Sequence, residues 1–291
     1  MEGLEGPLLT IITASTPLLL AALGELVTER SGVLNLGVEG MMAVGAVCGF
    51  AAANLTGMPM LGVLAAIQGG MVIAFLFGLL TLGLVTNQVA SGLALTLFGL
   101  GLSALIGDVF VGVPGPGMPK LYIPGLSDIP LVGRIFFAQD FMTYLAWALV
   151  IAVWYFIFRT RGGLVLRAVG DNHVSAHALG YKVIRVRFLA VLFGGACAGL
   201  AGGYLSLVYT PQWTPNMTAG RGWIALALVV FSAWKPGRLL LGAYLFGAVM
   251  TLELQSKAAG VNWLAPEVLA MAPYLATIAV LTMMSLGRRT G

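Results

Sequence analysis

Apolar residues in this chain fall in long runs, broken at intervals by short clusters of glycine, proline and polar side chains. Runs near membrane-crossing length cover about 7–24, 36–54, 59–86, 88–111, 141–158, 188–209, 238–255 and 266–286. Roughly 20 apolar residues in helical form cross about 30 Å of hydrocarbon. A shorter run at 222–234 lies between Arg221 and Lys235. Counted as a crossing, it brings the expectation to an all-α, polytopic transmembrane bundle of about nine spans. The segment 112–140, with Pro114, Pro116, Pro119 and Pro124 among glycines, cannot continue a helix. It reads as an ordered external loop carrying one short interfacial helix. Residues 1–291 are expected to form a single transmembrane domain, with no linker that would separate a soluble unit.

Charge placement orients this pattern. The longest polar interruption holds Arg159, Arg161, Arg167, Lys182, Arg185 and Arg187 against one acid, Asp171, and basic loops face the cytoplasm. Counting spans from there puts the Lys235–Arg238 turn and the Arg288–Arg289 tail on the same side. The N-terminus then lies outside. Glu2 and Glu5 sit where a secretory leader would carry base, so the first apolar run is expected to be retained as a span.

Composition excludes the soluble classes. Of 291 residues, 59% are hydrophobic and only 9% charged, with a mean hydropathy of +0.97; a soluble domain needs roughly a quarter of its residues charged. Cys48 and Cys197 both lie in apolar runs and read as packing residues. Gly195, Gly199 and Gly203, four apart, read as a helix-packing stripe. No phosphate-loop pattern G-x-x-x-x-G-K-[ST] occurs, so the chain is not expected to be its own ATPase. Paired carboxylates and Ser/His arrangements suited to an intramembrane enzyme are not apparent.

Three interruptions carry candidate chemistry. In Glu29–Gly40, Asn35 and Glu39 lie four apart, on one face of any helix starting there. A carboxylate at membrane depth needs a cavity or a partner. One reading makes this a cytoplasmic turn capped by Asn35, the other a broken helix lining a solute path. In Thr86–Ser91, Asn87, Gln88 and Ser91 offer donors and acceptors without a charge to desolvate, or simply form a loop between spans. In Pro211–Trp223, Trp213 and Trp223 either anchor the chain at the interface or line the mouth of that path, with Asn216 and Arg221 nearby. The basic cytoplasmic segment 160–186 adds a fourth feature. Asp171 or Asn172 can cap a short amphipathic helix that ends at Gly180, suited to docking a partner. His173 and His177 lie four apart, but lack a third ligand for a metal.

The stretch Ser31-Gly-Val-Leu-Asn-Leu-Gly-Val-Glu-Gly-Met-Met42 resembles a signature of ABC-importer permeases of the branched-chain amino acid and simple-sugar superfamily, in particular the nucleoside branch linked to basic membrane lipoproteins. The stretches Val89–Gly101 and Gly220–Phe231 resemble further pieces of it. Arg167-Ala-Val-Gly-Asp-Asn-His173, followed by Ala176 and Gly180, resembles the segment that contacts the ATPase. The resemblance implies the smaller permease subunit, in a bacterial inner (cytoplasmic) membrane. It also implies a second permease subunit, a paralogue, together with a cytoplasmic ABC ATPase with two nucleotide-binding domains and an extracytoplasmic substrate-binding lipoprotein. Membrane lipid is the remaining partner, and no nucleic acid is implied. ATP would be used by the partner ATPase, and no cofactor bound by this chain. The expected action is inward movement of a nucleoside or sugar-like solute by alternating access. Coupling would fall on Arg167, Gly170, Asp171, Asn172, His173, Ala176, Gly180 and Arg185. Where the family often has Asn-Pro, this chain has Asn172-His173. The competing expectation is an ion-coupled secondary transporter using Glu39, with Asp108 and Glu253 near span ends.

Overall fold

A computed structural model describes residues 2–122, 124, 125, 127, 129, 132–258, 271, 275, 278 and 282. Its helices are α1 (Glu2–Arg30), α2 (Val38–Thr56), α3 (Pro59–Gly78), α4 (Gln88–Gly107), α5 (Val132–Phe137), α6 (Phe141–Arg159), α7 (Arg161–Asp171), α8 (His173–Ala178), α9 (Val183–Tyr204), α10 (Arg221–Phe231) and α11 (Pro236–Ala258). One π turn extends α3 through Leu79–Gly83, and another extends α9 through Leu205–Tyr209. Among the described residues, seven helices are long and apolar enough to cross a membrane. Seven, and not the expected nine, is the number the described residues support. The run 222–234 becomes α10, whose eleven residues reach only about 16 Å at about 1.5 Å each, half the hydrocarbon thickness. The run 266–286 falls, apart from four residues, outside the described ones, as does the Arg288–Arg289 tail.

The centre of the bundle is built by close backbone approach. In α9, a Cβ on Gly195 would meet Ala74 and Gly70 of α3, and one on Gly199 would meet the Ala66 carbonyl and Gly70. The stripe at 195, 199 and 203 therefore packs α9 on α3, as its spacing predicts. α2 closes the third side, where Gly45 faces Gly199 and Gly202 faces the Met42 carbonyl. Hydroxyls then bond across helices: Ser206 Oγ donates to the Ala46 carbonyl and Ser103 Oγ to the Ala43 carbonyl, both at 2.9 Å. Such pairs hold helices where water no longer drives association. Cys197 is buried and Cys48 half-buried, both as free thiols.

Contacts sort the loops by end. At one end gather the last turn of α1, the turn after α10 and the α7–α8 segment: Arg187 Nε donates to the Ser31 carbonyl (3.1 Å) and Arg30 stacks on Trp234. At the other end Arg134 pairs with Glu5 at 3.2 Å. Isolated bridges there join Pro114 to Gln212 and Lys120 to Asp140. Within 112–140 the one described helix is α5, and Asp140 caps α6 by accepting from the Thr143 N–H (2.9 Å).

The basic segment departs from expectation by having two helices. Besides α8, the chain forms α7, which starts as soon as α6 ends. Thr160 caps it, accepting from the Gly163 N–H at 3.0 Å, and Gly163, Leu166 and Val169 form its buried edge. The inward positions are three apart, and the one apolar stretch, Leu164–Leu166, is only three residues long, too short to mark a helix by itself.

A broken helix closed by a carboxylate

Residues 210–220 enter the bundle as irregular backbone and lead into α10. Asn216 (φ +58°), Ala219 (+47°) and Gly220 (+80°) are left-handed. Non-helical backbone at membrane depth persists only inside protein or beside a wet cavity. Here protein surrounds part of it: Trp213 is 1% exposed and packs with Val47 and Phe50. A Cβ on Gly107 would run into its ring. The Trp213 Nε1–H and the Thr218 hydroxyl are buried without a partner. Two donors are thus left unspent along this segment. Arg221 turns back over it, donating from Nη1 to the Met217 carbonyl (2.9 Å), with its guanidinium 5.3 Å from the Tyr209 ring centroid.

The N-terminus of α10 meets Glu39. Its Oε1 accepts from the Gly220 N–H at 2.8 Å and its Oε2 from the Gly222 N–H at 2.6 Å. These are donors that a helix start leaves without intrahelical partners, and the helix dipole is positive there. A carboxylate 3% exposed is therefore tolerated because both oxygens are bonded and the local field suits its charge. Gly222 permits the approach, since any Cβ would fall 2.7 Å from the Glu39 Cα.

Glu39 is brought to this place by the interruption before α2. Asn35, fully buried, accepts from the Gly37 N–H at Oδ1 (2.9 Å) and donates its own N–H to Glu25 Oε1 (3.1 Å). Its amide lies 3.5 Å from the Met41 sulfur. Asn35 thus shapes the turn before α2 from inside the bundle, but the N-cap residue of that helix is Gly37, not Asn35 as the cytoplasmic-turn reading has it. Glu25 was missed because the apolar run ends at residue 24, whereas α1 continues to Arg30. Its Oε2 is buried without a partner.

The remaining sequence candidates lie apart from this pair. Asn87 caps α4, accepting from the Ala90 N–H (3.0 Å); Gln88 accepts from the Leu34 N–H (3.0 Å), and Ser91 shares a hydrogen with Thr86 (2.8 Å). These three sit at the other side of the Leu34–Leu36 turn, which Thr96 also holds through the Leu36 carbonyl (2.9 Å). Asn216 and Trp223 are exposed. In the basic segment, Asn172 caps α8 by accepting from the Ser175 N–H (3.0 Å) and Gly180, at φ +86°, ends it. Ala176 is buried, while Asp171, His173 and Arg185 are exposed. Arg167 lies with its guanidinium 5.5 Å from the Phe158 ring centroid. Gly170 presses on the Arg30 carbonyl so closely that a Cβ would overlap it.

Neither of the larger cavities suits a polar solute. One of about 480 Å³ is walled by Val27, Leu149, Val153, Leu166, Leu189 and Phe193, among other apolar groups. A second, of about 350 Å³, is lined by Ile12, Ile135, Phe136, Trp147, Leu240 and Tyr244, again almost wholly apolar; a more polar space between Thr10, Tyr209, Arg221, Thr251 and Glu253 holds only about 160 Å³, below the roughly 300 Å³ of ordinary ligand pockets. The face of α4 that carries Leu93, Leu97, Phe98 and Leu105 is exposed.

Residues 8–286 match the family described as branched-chain amino acid transport system / permease component. The chain is 44% identical over 303 positions to a Haloferax volcanii permease named for a glucose ABC transporter, covering 97% of this chain and 92% of that protein. It is 34% identical over 294 positions to the guanosine ABC transporter permease of Bacillus subtilis, covering 94% and 92%. In fold it is similar to a metal-chelate type ABC transporter solved in an inward-facing conformation, with a TM-score of 0.54 at 14% identity over 95% of this chain and 85% of that one. The apolar helices and the extent of these matches lead to one conclusion: this multi-pass membrane protein belongs to the family of branched-chain amino acid transport system permease components, as an ABC-transporter permease.

Proposed function

We propose that the chain is one permease subunit of an importer for a neutral polar solute, a nucleoside or a sugar. The observation that carries the solute class is the Glu39 carboxylate on the first turn of α10. Discontinuous helices in transporters commonly aim such N-termini at an anionic group of the substrate. Here the protein's own anion occupies that position, so an anionic solute would meet repulsion. The relatives named for glucose and guanosine carry uncharged solutes by name, and the one cation at the α10 start, Arg221, is turned back onto the Met217 carbonyl and the Tyr209 ring.

The remainder of the assembly follows from the same reading. The exposed apolar face of α4 would meet a second permease subunit, and a passage between the two would wet residues 87–91 together with Asn216 and Trp223, while Trp213 stays in the core behind them. Segment 160–186 would dock a cytoplasmic ATPase with two nucleotide-binding domains, while a binding lipoprotein delivers solute to the opposite end. ATP would be hydrolysed by that partner. The orientation in a cytoplasmic membrane, N-terminus outside and C-terminus inside, rests on the basic residues gathered at the α7–α8 end, with the irregular entry 210–220 and the half-helix α10 together making one further crossing and 266–286 another, to complete nine.

Proteoliposomes containing the chain, its partner permease, the ATPase and the lipoprotein should take up labelled guanosine or glucose only with ATP. Excess unlabelled solute should compete, and guanosine monophosphate should not. Uptake driven by an ion gradient with ATP withheld would sink the assignment. At the docking end, Arg185→Glu places a negative charge on an exposed cationic position. ATPase co-purification should fall about fivefold at low salt, the size of an electrostatic contact of about 1 kcal/mol, and an unaltered yield would remove Arg185 from the interface.

A further inference from the structure

The half-helix α10 is fastened at its C-terminal end as well, through a turn in an unfavourable conformation. Ala233 (φ +50°) and Trp234 (φ +55°) are consecutive non-glycine residues in the left-handed region. L side chains occupy that region only where the surroundings over-determine it, and such places cluster at switching elements. The surroundings here come from the last turn of α1. The Trp234 Nε1–H donates to Glu29 Oε2 at 2.6 Å, the Arg30 guanidinium lies 5.9 Å from the Trp234 ring centroid, and Arg30 Nη2 lies 3.5 Å from the Trp234 carbonyl oxygen.

That same turn of α1 supports α7. Gly170 packs directly on the Arg30 carbonyl, and Arg187, from the start of α9, donates to the Ser31 carbonyl. Any displacement of α7 along α1 therefore acts on the residues that hold Trp234. The Arg30 Nε–H is buried with no acceptor, so the cluster retains a donor that a second arrangement could use.

We propose that the Ser232–Lys235 turn is the joint through which movement of α7 reaches α10, with Trp234 as the positioning residue that couples them. When the last turn of α1 shifts, the indole N–H either carries the turn with it or lets it relax out of the left-handed region. Either outcome moves the α10 start against Glu39. This inference rests on the reading of segment 160–186 as the ATPase docking site.

The test uses the assembled transporter and needs no knowledge of the solute. Hydrogen exchange at the amides of residues 217–224 is compared between nucleotide-free and vanadate-trapped complexes. Wild type should show at least a tenfold change in exchange rate on trapping. Trp234→Phe, which keeps the ring and loses the N–H, should still hydrolyse ATP within twofold of wild type while the change at 217–224 disappears. Glu29→Leu should reproduce this, and Glu29→Gln, which keeps an acceptor oxygen, should restore the wild-type response. A nucleotide response that persists in Trp234→Phe overturns the proposal. So does a Trp234→Phe complex that no longer assembles, because Trp234 would then serve packing alone. An unchanging 217–224 segment in wild type overturns the joint while leaving the permease reading intact. Failure of wild type to bind any ATPase overturns both.

Discussion

Replacing Glu39 with leucine is expected to reduce solute uptake at least tenfold and to lower the unfolding free energy by about 3 kcal/mol. The magnitude follows from the two N–H groups, Gly220 and Gly222, that the carboxylate accepts from. Each would be stranded in a buried setting, at about 1–3 kcal/mol apiece. Glu39→Gln retains one acceptor oxygen but presents an amide hydrogen to the second N–H, so about half of the loss should remain. Thermal unfolding of the purified complex beside uptake in proteoliposomes separates the two effects. If the stability loss appears without any change in uptake, the α10 start has no part in the passage. Were Glu39 instead a direct contact for solute, Gln and Leu would differ in apparent affinity and hardly at all in stability.

At the other end of the molecule, Gly170→Val should cut the yield of co-purified ATPase at least tenfold. The new side chain would occupy the position of the Arg30 carbonyl, which belongs to a helix end and cannot withdraw without disturbing Ser31 and Arg187. Overpacking of this kind costs about 1–3 kcal/mol, and α7 is a short helix at the edge of the bundle, so it would be displaced before the core yields. Gly6→Ala, at the far end of α1, supplies the control, because nothing lies within 4 Å of a Cβ there. ATPase binding that survives Gly170→Val would place docking elsewhere.

The crossings were legible because lipid imposes one crude requirement, length of apolar helix, which a run of side chains states directly. The polar interruption at 31–40 was legible for the same reason, since Asn35 and Glu39 stand out where oil is expected. What Glu39 does was not legible. Its two donors lie 181 and 183 residues away, and they are backbone groups, which carry no mark in the sequence. Trp213 illustrates a related limit. Tryptophan suits either an interface or a core, and the choice here is made by Gly107 opening space for the ring. Glu25 and Glu29 were passed over because they follow an apolar run and look like its boundary. The helix carries on through them, and Asn35 and Trp234 give them partners.

The seam where α2, α3 and α9 meet has a consequence for how the molecule changes shape. Gly70, Gly195, Gly199 and Gly202 bring main chain against main chain, leaving few rotatable groups that could absorb sliding. A contact without rotamers has one geometry, so these three helices should travel as a single stiff slab through every stage of the cycle. Deformation is then left to the parts fastened by side chains, and the slab is the reference frame against which they turn.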